Sequence, residues 1–255
     1  MKTVRTIAEL RAALDGAGGT LGLVPTMGAF HDGHQALFRA ARAENDVVVV
    51  SLFVNPAQFE QNGDLADYPR DEARDAELAE AAGMDVLFAP SADELYPDGF
   101  ETWVEVERLG GVLEGRFRPG HFRGVATICL KLFNIVCPDR AYFGQKDAQQ
   151  SAVVRRMVRD LNVPVEIRVV PTVRDADGLA LSSRNARLSP ADRERALALP
   201  RALATRDRTR ARELLDGLEV DYVEVADFEP PVLAAAVRVG STRLIDNVVL
   251  EGEPA

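Results

Sequence analysis

The chain has 255 residues, enough for one large domain or two modest ones with a substantial core. Its apolar fraction of 47% and charged fraction of 27% are ordinary for a globular protein, which excludes disorder for most of the chain. With 30 Lys and Arg against 40 Asp and Glu, the net charge of −10 would repel a phosphate backbone, so we expect no nucleic-acid partner. We also expect no signal peptide and no membrane partner, because no apolar run approaches the roughly 20 residues that span a bilayer.

The two cysteines, Cys129 and Cys137, lie eight positions apart in one apolar segment. On a helix they would be two turns apart, which is too far for a disulfide. No histidine accompanies them at a spacing typical of metal ligands. We therefore expect two small buried apolar side chains, and this cysteine usage favours a cytoplasmic location.

The first two-thirds of the chain alternates strand-like and helix-like segments. The apolar pattern predicts strands at 20–25, 46–54, 85–89, 140–143 and 165–170, and helices at 34–44, 69–82, 122–136 and 148–161. Asp46–Val54 is apolar without a period-two break, which is typical of a strand that is covered on both faces. Such alternation indicates βαβ units, so the predicted fold class is α/β with a Rossmann-like, doubly wound parallel sheet.

The pattern changes after about Thr172. A polar loop at 174–189 precedes predicted helices near 191–203 and 209–215 and predicted strands near 221–226 and 243–250. These elements indicate a smaller α+β C-terminal domain. The predicted domains are therefore residues 1–173 and 174–255, and we expect the functional site between them.

Candidate chemistry concentrates in residues 24–34, VPTMGAFHDGH, between the first predicted strand and the first predicted helix. Open α/β sheets bind ligands at this end of a parallel strand. His31 and His34 would share one face of the helix start, and Gly33 would let a phosphate approach the backbone. Two imidazoles beside a helix N-terminus suit a polyphosphate that gains charge during a reaction. The alternative, two structural or surface histidines, is disfavoured because the chain has only three histidines in all.

Two further segments point to phosphate. Gly144–Asp147 lies at another strand-to-helix turn, where Lys146 would oppose the helix dipole unless an anion binds. Leu179–Asn185 places hydroxyl groups before an arginine, which suits a mobile loop that closes over phosphates. An exposed loop lysine and an ordinary serine-rich loop remain alternatives at this point. The sequence has no GxxxxGK[ST] motif, which excludes a P-loop enzyme at the level of motifs.

These segments together resemble the pantothenate synthetase (pantoate–β-alanine ligase) family of the HxGH nucleotidylyltransferase superfamily. The matching segments are VPTMGAFHDGH (24–34), FVNPAQF (53–59), YPR (68–70), residues 118–150, DLNVPV (160–165), residues 171–189, and DYVEV and TRLIDN near the end. The resemblance implies ATP-dependent condensation of pantoate with β-alanine to pantothenate, through a pantoyl adenylate, with release of pyrophosphate and AMP. It also implies a homodimer formed through the N-terminal domain and the use of Mg²⁺ with ATP, for which the sequence identifies no protein ligands.

The resemblance implies a role for residues of each motif. His34, His31 and Lys146 are implied to be catalytic, with His34 as the acid that assists the pyrophosphate leaving group. The implied ATP contacts are Met27, Gly28, Ala29, Phe30, His31, Asp32, Gly33, His34, Gly144, Gln145, Lys146, Asp147, Val173, Leu181, Ser182, Ser183 and Arg184.

For the acid substrates, the resemblance implies that Gln58 and Gln150 bind pantoate and that Gln58 also lines the β-alanine site. Glutamine suits hydroxyls and a carboxylate because its amide has both donors and an acceptor. Asn55 and Arg118 are implied to assist, and the third histidine, His121, also falls inside a matching motif. The sequence departs from the family pattern in a shortened segment at 193–220, in Leu181 where the family often has Met, and in residues 60–67.

Two other interpretations are weighed against this resemblance. Another HxGH enzyme, such as a cytidylyltransferase or a tRNA synthetase core, has no reason to present Gln58 and Gln150. The acidic charge and the lack of an anticodon-binding region also disfavour a synthetase. A non-catalytic ATP-binding regulator would not need both histidines, Lys146 and Ser182–Arg184.

Overall fold

A computed structural model describes residues 1–59, 65–66 and 68–250 of the chain. The chain divides into two compact units. The first unit comprises Met1–Phe30, His34–Phe143 and Gln149–Arg168, and the second comprises His31–Gly33, Gly144–Ala148 and the chain from Val169 onward. The predicted boundary between residues 173 and 174 stays a prediction. Most of the atypical segment 60–67 lies outside the described residues.

A six-stranded sheet forms the centre of the first unit. Its strands are β1 (Lys2–Val4), β2 (Leu21–Thr26), β3 (Val47–Leu52), β4 (Val86–Phe88), β5 (Arg140–Gly144) and β6 (Glu166–Val170). They lie in the order β1-β4-β3-β2-β5-β6, and the pairs β1–β4, β4–β3, β3–β2 and β2–β5 are parallel. The predicted α/β class is confirmed. Of these six strands only β1 is absent from the predictions, because Val4 is its only buried residue, whereas all three residues of the equally short β4 are buried apolar side chains.

The core of this sheet follows from the apolar run in β3. Val48, Val49 and Val50 are fully buried, as expected for a strand that is covered on both faces. The neighbouring strand β2 is parallel to β3 on one side and to β5 on the other. The chain moves from β2 outward through β3 and β4, then returns to β5 on the opposite side of β2. This reversal places the sheet's topological switch point between β2 and β5, where α/β sheets bind ligands.

The helices in this part of the chain are α1 (Ile7–Leu14), α2 (Asp32–Glu44), α3 (Glu72–Ala81), α4 (Ala92–Leu95), α5 (Glu107–Gly110), α6 (Glu114–Phe117), α7 (His121–Val136) and α8 (Ala148–Asp160). The four predicted helices are confirmed with small changes in their ends. For example, α3 begins at Glu72 because the Asp71 side chain caps it by accepting the Arg74 N–H. Helix α1 was not predicted, although the reciprocal capping box of Thr6 and Glu9 is a sequence signal for it.

The prediction of two buried cysteines is half wrong. Cys129 is buried within α7, but Cys137 is exposed, and both are free thiols. Helix α7 ends at Val136, and Cys137 adopts a left-handed backbone with φ of 53° just before Pro138. The side chain of Cys137 therefore no longer follows the buried face of the helix.

The described residues of the second unit form an antiparallel sheet in the order β7-β8-β9 and three α-helices. The elements are α9 (Pro190–Ala196), α10 (Ala198–Leu203), α11 (Arg208–Leu214), β7 (Glu219–Asp227), β8 (Pro231–Val239) and β9 (Thr242–Val249). This confirms a small α+β domain. The predicted helix at 191–203 is two helices, because Pro200 has no N–H to continue the helical ladder back to Ala196.

The middle strand β8 was not predicted. Its sequence, PVLAAAVRV, is rich in alanine, which is a poor strand former. In the structure β8 pairs with β7 on one side and β9 on the other, and Val232–Val237 are buried. Tertiary pairing therefore decides the conformation of this segment. Within the described ranges, no helix combines the length and hydropathy needed to cross a membrane.

Helix α7 packs tightly on the short 3₁₀ turn Pro56–Gln58, and Gly124 is the point of closest approach. A Cβ at this position would overlap the carbonyl oxygen of Ala57. Gly124→Ala should therefore lower the free energy of unfolding by about 1–3 kcal/mol, measured by urea unfolding. The matched control is Gly18→Ala, whose Cβ would meet open space and which should change this free energy by less than about 0.5 kcal/mol. Equal unfolding midpoints for the two variants would contradict the close packing.

Candidate active site

The turn that leaves β2 is held by a buried carboxylate. Gly28 and Ala29 both adopt positive φ, 88° and 54°, a conformation that disfavours an alanine. The backbone N–H groups of Ala29 and Phe30 each donate to the Asp75 carboxylate at 2.8 Å. Asp75 lies on α3 and is only 2% exposed. These charge-assisted bonds offset the unfavourable backbone and give residues 27–30 one defined shape.

His34 lies in the first turn of α2, in the first unit. Its ring packs against Phe30, with ring centroids 5.2 Å apart. Phe30 is buried and meets Phe38 edge-on at 5.1 Å. The apolar side of the α2 start therefore orients the imidazole of His34.

His31 belongs to the second unit, and its protonation is set by a neighbouring backbone group. The Gly33 N–H donates to Nδ1 of His31 at 3.1 Å. An accepting Nδ1 carries no proton, so the neutral ring carries its proton on Nε2. A Cβ on residue 33 would lie 2.8 Å from Cε1 of His31, so a side chain at this position would clash with the imidazole ring.

The electrostatic surroundings also favour a neutral His31. Burial lowers the pKa of His31 below its usual 6.5, and the positive charge of Lys146 lowers it further. The carboxylates of Asp32, Asp147 and Asp175 act in the opposite direction but are the smaller effects. At neutral pH, His31 is therefore a neutral Nε2–H donor, which can hydrogen-bond a phosphate oxygen without a change in protonation.

Lys146 lies in the 3₁₀ turn Gln145–Asp147, which precedes α8, and not in the helix itself. Its ammonium is 3.2 Å from Oδ1 of Asp147. The Asn247 amide donates to the carbonyl oxygens of Gln145 and Lys146, both at 2.9 Å, and accepts from Nε2 of Gln145 at 3.0 Å. Asn247 is buried and holds the backbone that carries Lys146.

Asn247 is absent from the sequence-based predictions of the site. The signal for it is the Asp246-Asn247 pair inside β9, since both residue types are disfavoured in strands. Asp246 is also buried and forms an ion pair with Arg174, with 2.6 Å between the charged groups. Both polar residues therefore have structural partners within the second unit.

The third predicted segment, Leu179–Asn185, is part of the polar loop at 174–189 and lies in the second unit. The Leu181 N–H donates to the carbonyl oxygen of Val173 at 3.0 Å. Ser182 caps the 3₁₀ helix Ser183–Arg187 by accepting the Arg184 N–H. A Cβ on Gly33 would lie 4.0 Å from Cβ of Leu181, so this loop adjoins the His31 segment.

Lys146 and the loop at 174–189 line a common recess in the second unit. Lys146, Ser182, Arg184 and Asn185 line it, together with part of β9. Oδ1 of Asn185 is buried and has no hydrogen-bond partner among the described residues. The lining includes three cationic side chains, those of Lys146, Arg184 and Arg243, and one carboxylate, that of Asp246, which is paired with Arg174. The excess of positive charge beside a hydroxyl group provides a suitable environment for a polyanion.

Gln58 lies at the end of the 3₁₀ turn that follows β3, in the first unit. Its side chain is buried, with Oε1 accepting from Nδ2 of Asn55 at 3.0 Å. Nε2 of Gln58 lies 3.1 Å from the sulfur of Met27. The first unit therefore brings Gln58 next to the turn that leaves β2.

His121 supports Gln58 from helix α7. The guanidinium of Arg118 approaches Nε2 of His121 at 3.2 Å, and a guanidinium can only donate. Nε2 therefore accepts, and Nδ1–H donates to the carbonyl oxygen of Gln58 at 2.9 Å. His121 is a buried, neutral histidine that ties Arg118 to the Gln58 backbone.

Gln150 lies in the first turn of α8 and is half-buried. No hydrogen bond links it to Gln58 among the described residues. The adjacent Gln149 is buried and bonds three backbone groups of residues 109–114. In the part of the chain that the structure describes, no three His, Cys, Asp or Glu side chains cluster as metal ligands.

The fold and the local geometry define the class of protein: an α/β enzyme with one histidine in the turn that follows an interior parallel strand and a second in the first turn of the next helix. A sequence profile described as Pantoate-beta-alanine ligase matches residues 2–249. The chain therefore belongs to the pantoate–β-alanine ligase family.

Individual relatives agree with this assignment. The pantothenate synthetase of Moorella thermoacetica is 53% identical over 280 residues, covering 98% of this chain and 99% of the relative. Pantothenate synthetase 1 of Bradyrhizobium diazoefficiens is 52% identical, with both chains fully covered. The alignment to the Moorella protein is longer than this chain, so that relative has positions without a counterpart here. The location of the shortening at 193–220 stays a prediction.

Solved structures show the same fold. A pantothenate synthetase from Thermus thermophilus superposes with a TM-score of 0.94 at 48% identity, covering 99% of this chain and 100% of that one. The pantoate–β-alanine ligase of Francisella tularensis, solved in complex with "Beta-gamma ATP and Beta-alanine", gives 0.88 at 35% identity with both chains fully covered.

The protonation of His31 can be tested by NMR titration of the imidazole resonances, with His31→Gln identifying the His31 signal. We expect the pKa of His31 below 6.5, since burial and Lys146 disfavour the charged ring. Lys146→Met should raise this pKa, whereas Asp175→Asn should lower it. Because the unfolded chain binds the proton more readily, the associated stability is present above pH 6.5 and lost as the pH falls through the folded pKa. An unchanged or lowered pKa in Lys146→Met would contradict the interaction.

Proposed function

We propose that the enzyme condenses pantoate with β-alanine in two steps, through a pantoyl adenylate. The observation that carries this proposal is the gathering of His31, Lys146, Ser182 and Arg184 in one unit of the structure. These side chains can donate hydrogen bonds to a triphosphate, and they come from three segments far apart in the sequence. The Francisella relative, solved with an ATP compound and β-alanine, supports both as substrates.

In the first step, a carboxylate oxygen of pantoate attacks the α-phosphorus of ATP. The bond from that phosphorus to the bridging oxygen breaks, and pyrophosphate leaves with the electron pair. Negative charge therefore grows on the leaving group, and catalysis depends on positioning and charge stabilisation. We assign this stabilisation to His34, the Nε2–H of His31 and the ammonium of Lys146.

In the second step, the amine of β-alanine attacks the acyl carbon of the adenylate. The carbon–nitrogen bond forms, the carbon–oxygen bond to AMP breaks with its electron pair on AMP, and the proton lost by the amine passes to solvent. We assign pantoate to Gln58 and Gln150 and the β-alanine site to Gln58. Closure of the loop Ser182–Arg184 would exclude water from the reactive adenylate.

The remaining ATP contacts are proposed on the same basis. They fall in both units, and those in the first unit are Met27–Phe30 and His34. Those in the second unit are His31, Asp32, Gly33, Gly144, Gln145, Lys146, Asp147, Val173, Leu181, Ser182, Ser183 and Arg184.

Magnesium is proposed to enter with ATP as part of the substrate. Mg²⁺ is commonly held by substrate phosphates and water with only one or two carboxylates. Both oxygens of the buried Asp75 already accept backbone N–H groups, which makes this carboxylate a poor ligand. We therefore assign no protein ligand to the ion. The homodimer and the cytoplasmic location also stay predictions.

The order of the two steps is tested by isotope exchange between ATP and pyrophosphate. We expect exchange that requires pantoate and does not require β-alanine, since adenylation precedes amide formation. The matched controls are β-alanine alone and CTP with an alcohol. Exchange in either control would contradict an adenylate-first ligase and would favour a different nucleotidyl transfer.

The role of His34 is tested by separating the two half-reactions. His34→Ala should remove about 2–4 kcal/mol of transition-state stabilisation from adenylation, as the loss of an oxyanion donor does. Purified pantoyl adenylate should react with β-alanine on this variant with a much smaller loss of rate. Equal losses in both half-reactions would indicate general damage to the site instead of a role in pyrophosphate departure.

A further inference from the structure

The orientation of the Asn55 amide follows from two backbone groups, whose hydrogen-bonding character cannot change. Oδ1 of Asn55 accepts the Ala57 N–H at 3.3 Å, and Nδ2 donates to the carbonyl oxygen of Gly124 at 3.2 Å. The reversed amide would face a donor with a donor and an acceptor with an acceptor. Asn55 is 1% exposed, so water cannot relieve such a conflict.

This orientation determines that of Gln58. Nδ2 of Asn55 also donates to Oε1 of Gln58 at 3.0 Å, so the oxygen end of the Gln58 amide is turned toward Asn55 inside the protein. The other end of the amide, Nε2, lies 3.1 Å from the Met27 sulfur, which is a weak acceptor. Gln58 therefore has N–H donors that a stronger acceptor can take.

Tyr96 adds a second bond to the same network. Its hydroxyl donates to Oδ1 of Asn55 at 2.9 Å. Burial raises the pKa of Tyr96, so the hydroxyl remains protonated and remains a donor at neutral pH. The ring is held by Phe53, Phe100 and Trp103, at centroid distances of 6.3, 5.0 and 6.2 Å. These ring contacts do not require the hydroxyl group.

We propose that Asn55 and Tyr96 are positioning residues that present Gln58 as an N–H donor, so that Gln58 binds the acid substrate through an acceptor oxygen. The inference rests on the proposed function, which assigns the acid substrates to Gln58. It changes the implied role of Asn55, whose two amide atoms are both engaged inside the first unit. It also adds Tyr96, to which neither the motifs nor the family resemblance drew attention.

The experiment compares the KM values for pantoate and ATP in pantoate-dependent pyrophosphate release. Tyr96→Phe removes only the hydroxyl and should raise the KM for pantoate about three- to tenfold, with the KM for ATP changed less than about twofold. The matched control is Tyr142→Phe, a buried tyrosine whose hydroxyl bonds Glu44 and Asn45 at the end of α2. This control should leave both KM values within about twofold of the parent.

A second variant changes the donor that Asn55 presents to Gln58 into an acceptor. Asn55→Asp keeps the shape of the side chain but replaces the Nδ2 donor with an oxygen, which would favour a flipped Gln58. We expect the same selective rise in the pantoate KM, at least as large as in Tyr96→Phe. Melting temperatures measured in parallel show whether each variant folds. If one of the two variants does not fold, the pantoate KM of the other is sufficient to test the inference.

A double-mutant cycle separates positioning from general structure. Gln58→Glu removes the donor that faces the substrate, so adding Tyr96→Phe to it should have little further effect on the pantoate KM. Full additivity of the two changes would overturn the inference, as would a parallel rise in the ATP KM or an equal effect of Tyr142→Phe. A parent without pantoate-dependent pyrophosphate release would overturn the proposed function and the inference with it. If the parent is active, then full additivity, a parallel rise in the ATP KM or an equal effect of Tyr142→Phe would overturn the inference and leave the proposed function in place.

Discussion

The two hydrogen bonds from the N–H groups of Ala29 and Phe30 to the Asp75 carboxylate are the constraint on which the candidate site residues of the first unit depend. Two consecutive residues with positive φ form a turn that the chain would not adopt alone. A buried carboxylate accepts both N–H groups strongly because little water competes for it. The turn then leads directly into the segment that carries His31 and His34.

Fixed backbone polarity has a second consequence, since it sets the character of several ambiguous side chains. The Gly33 N–H makes Nδ1 of His31 an acceptor, and the Gly124 carbonyl makes Nδ2 of Asn55 a donor. Asn247 similarly meets two carbonyl oxygens of the Lys146 turn. A given atom position of an imidazole or an amide can be a donor or an acceptor. Here the neighbouring backbone groups fix which of the two it is before any substrate binds. Such preorganisation lowers the reorganisation needed during a charge-separating reaction.

Prediction from the sequence succeeded where one local pattern dominates. The β3 run Val47–Leu52 has no period-two alternation of polar residues, and α7 has a continuous helical period that ends before Pro138, so both were predicted closely. It failed for β8, whose alanines carry little strand preference, and for the helix break at Leu197. Likewise, Asp75 lies on an ordinary charged helix, and its sequence neighbours give no sign that its carboxylate is buried.

The sequence by itself determined the fold class, the family and the short segments in which the chemistry lies, because these depend on local periodicity and on motifs whose members are close in the chain. Only the tertiary structure decided which distant groups meet. Asp75 is 46 residues from Ala29, and Asn247 lies 102 residues from Gln145. It also decided hydrogen-bonding character, as in the accepting Nδ1 of His31. A residue type states which bonds a side chain can make, whereas the choice among them depends on partners that only folding supplies.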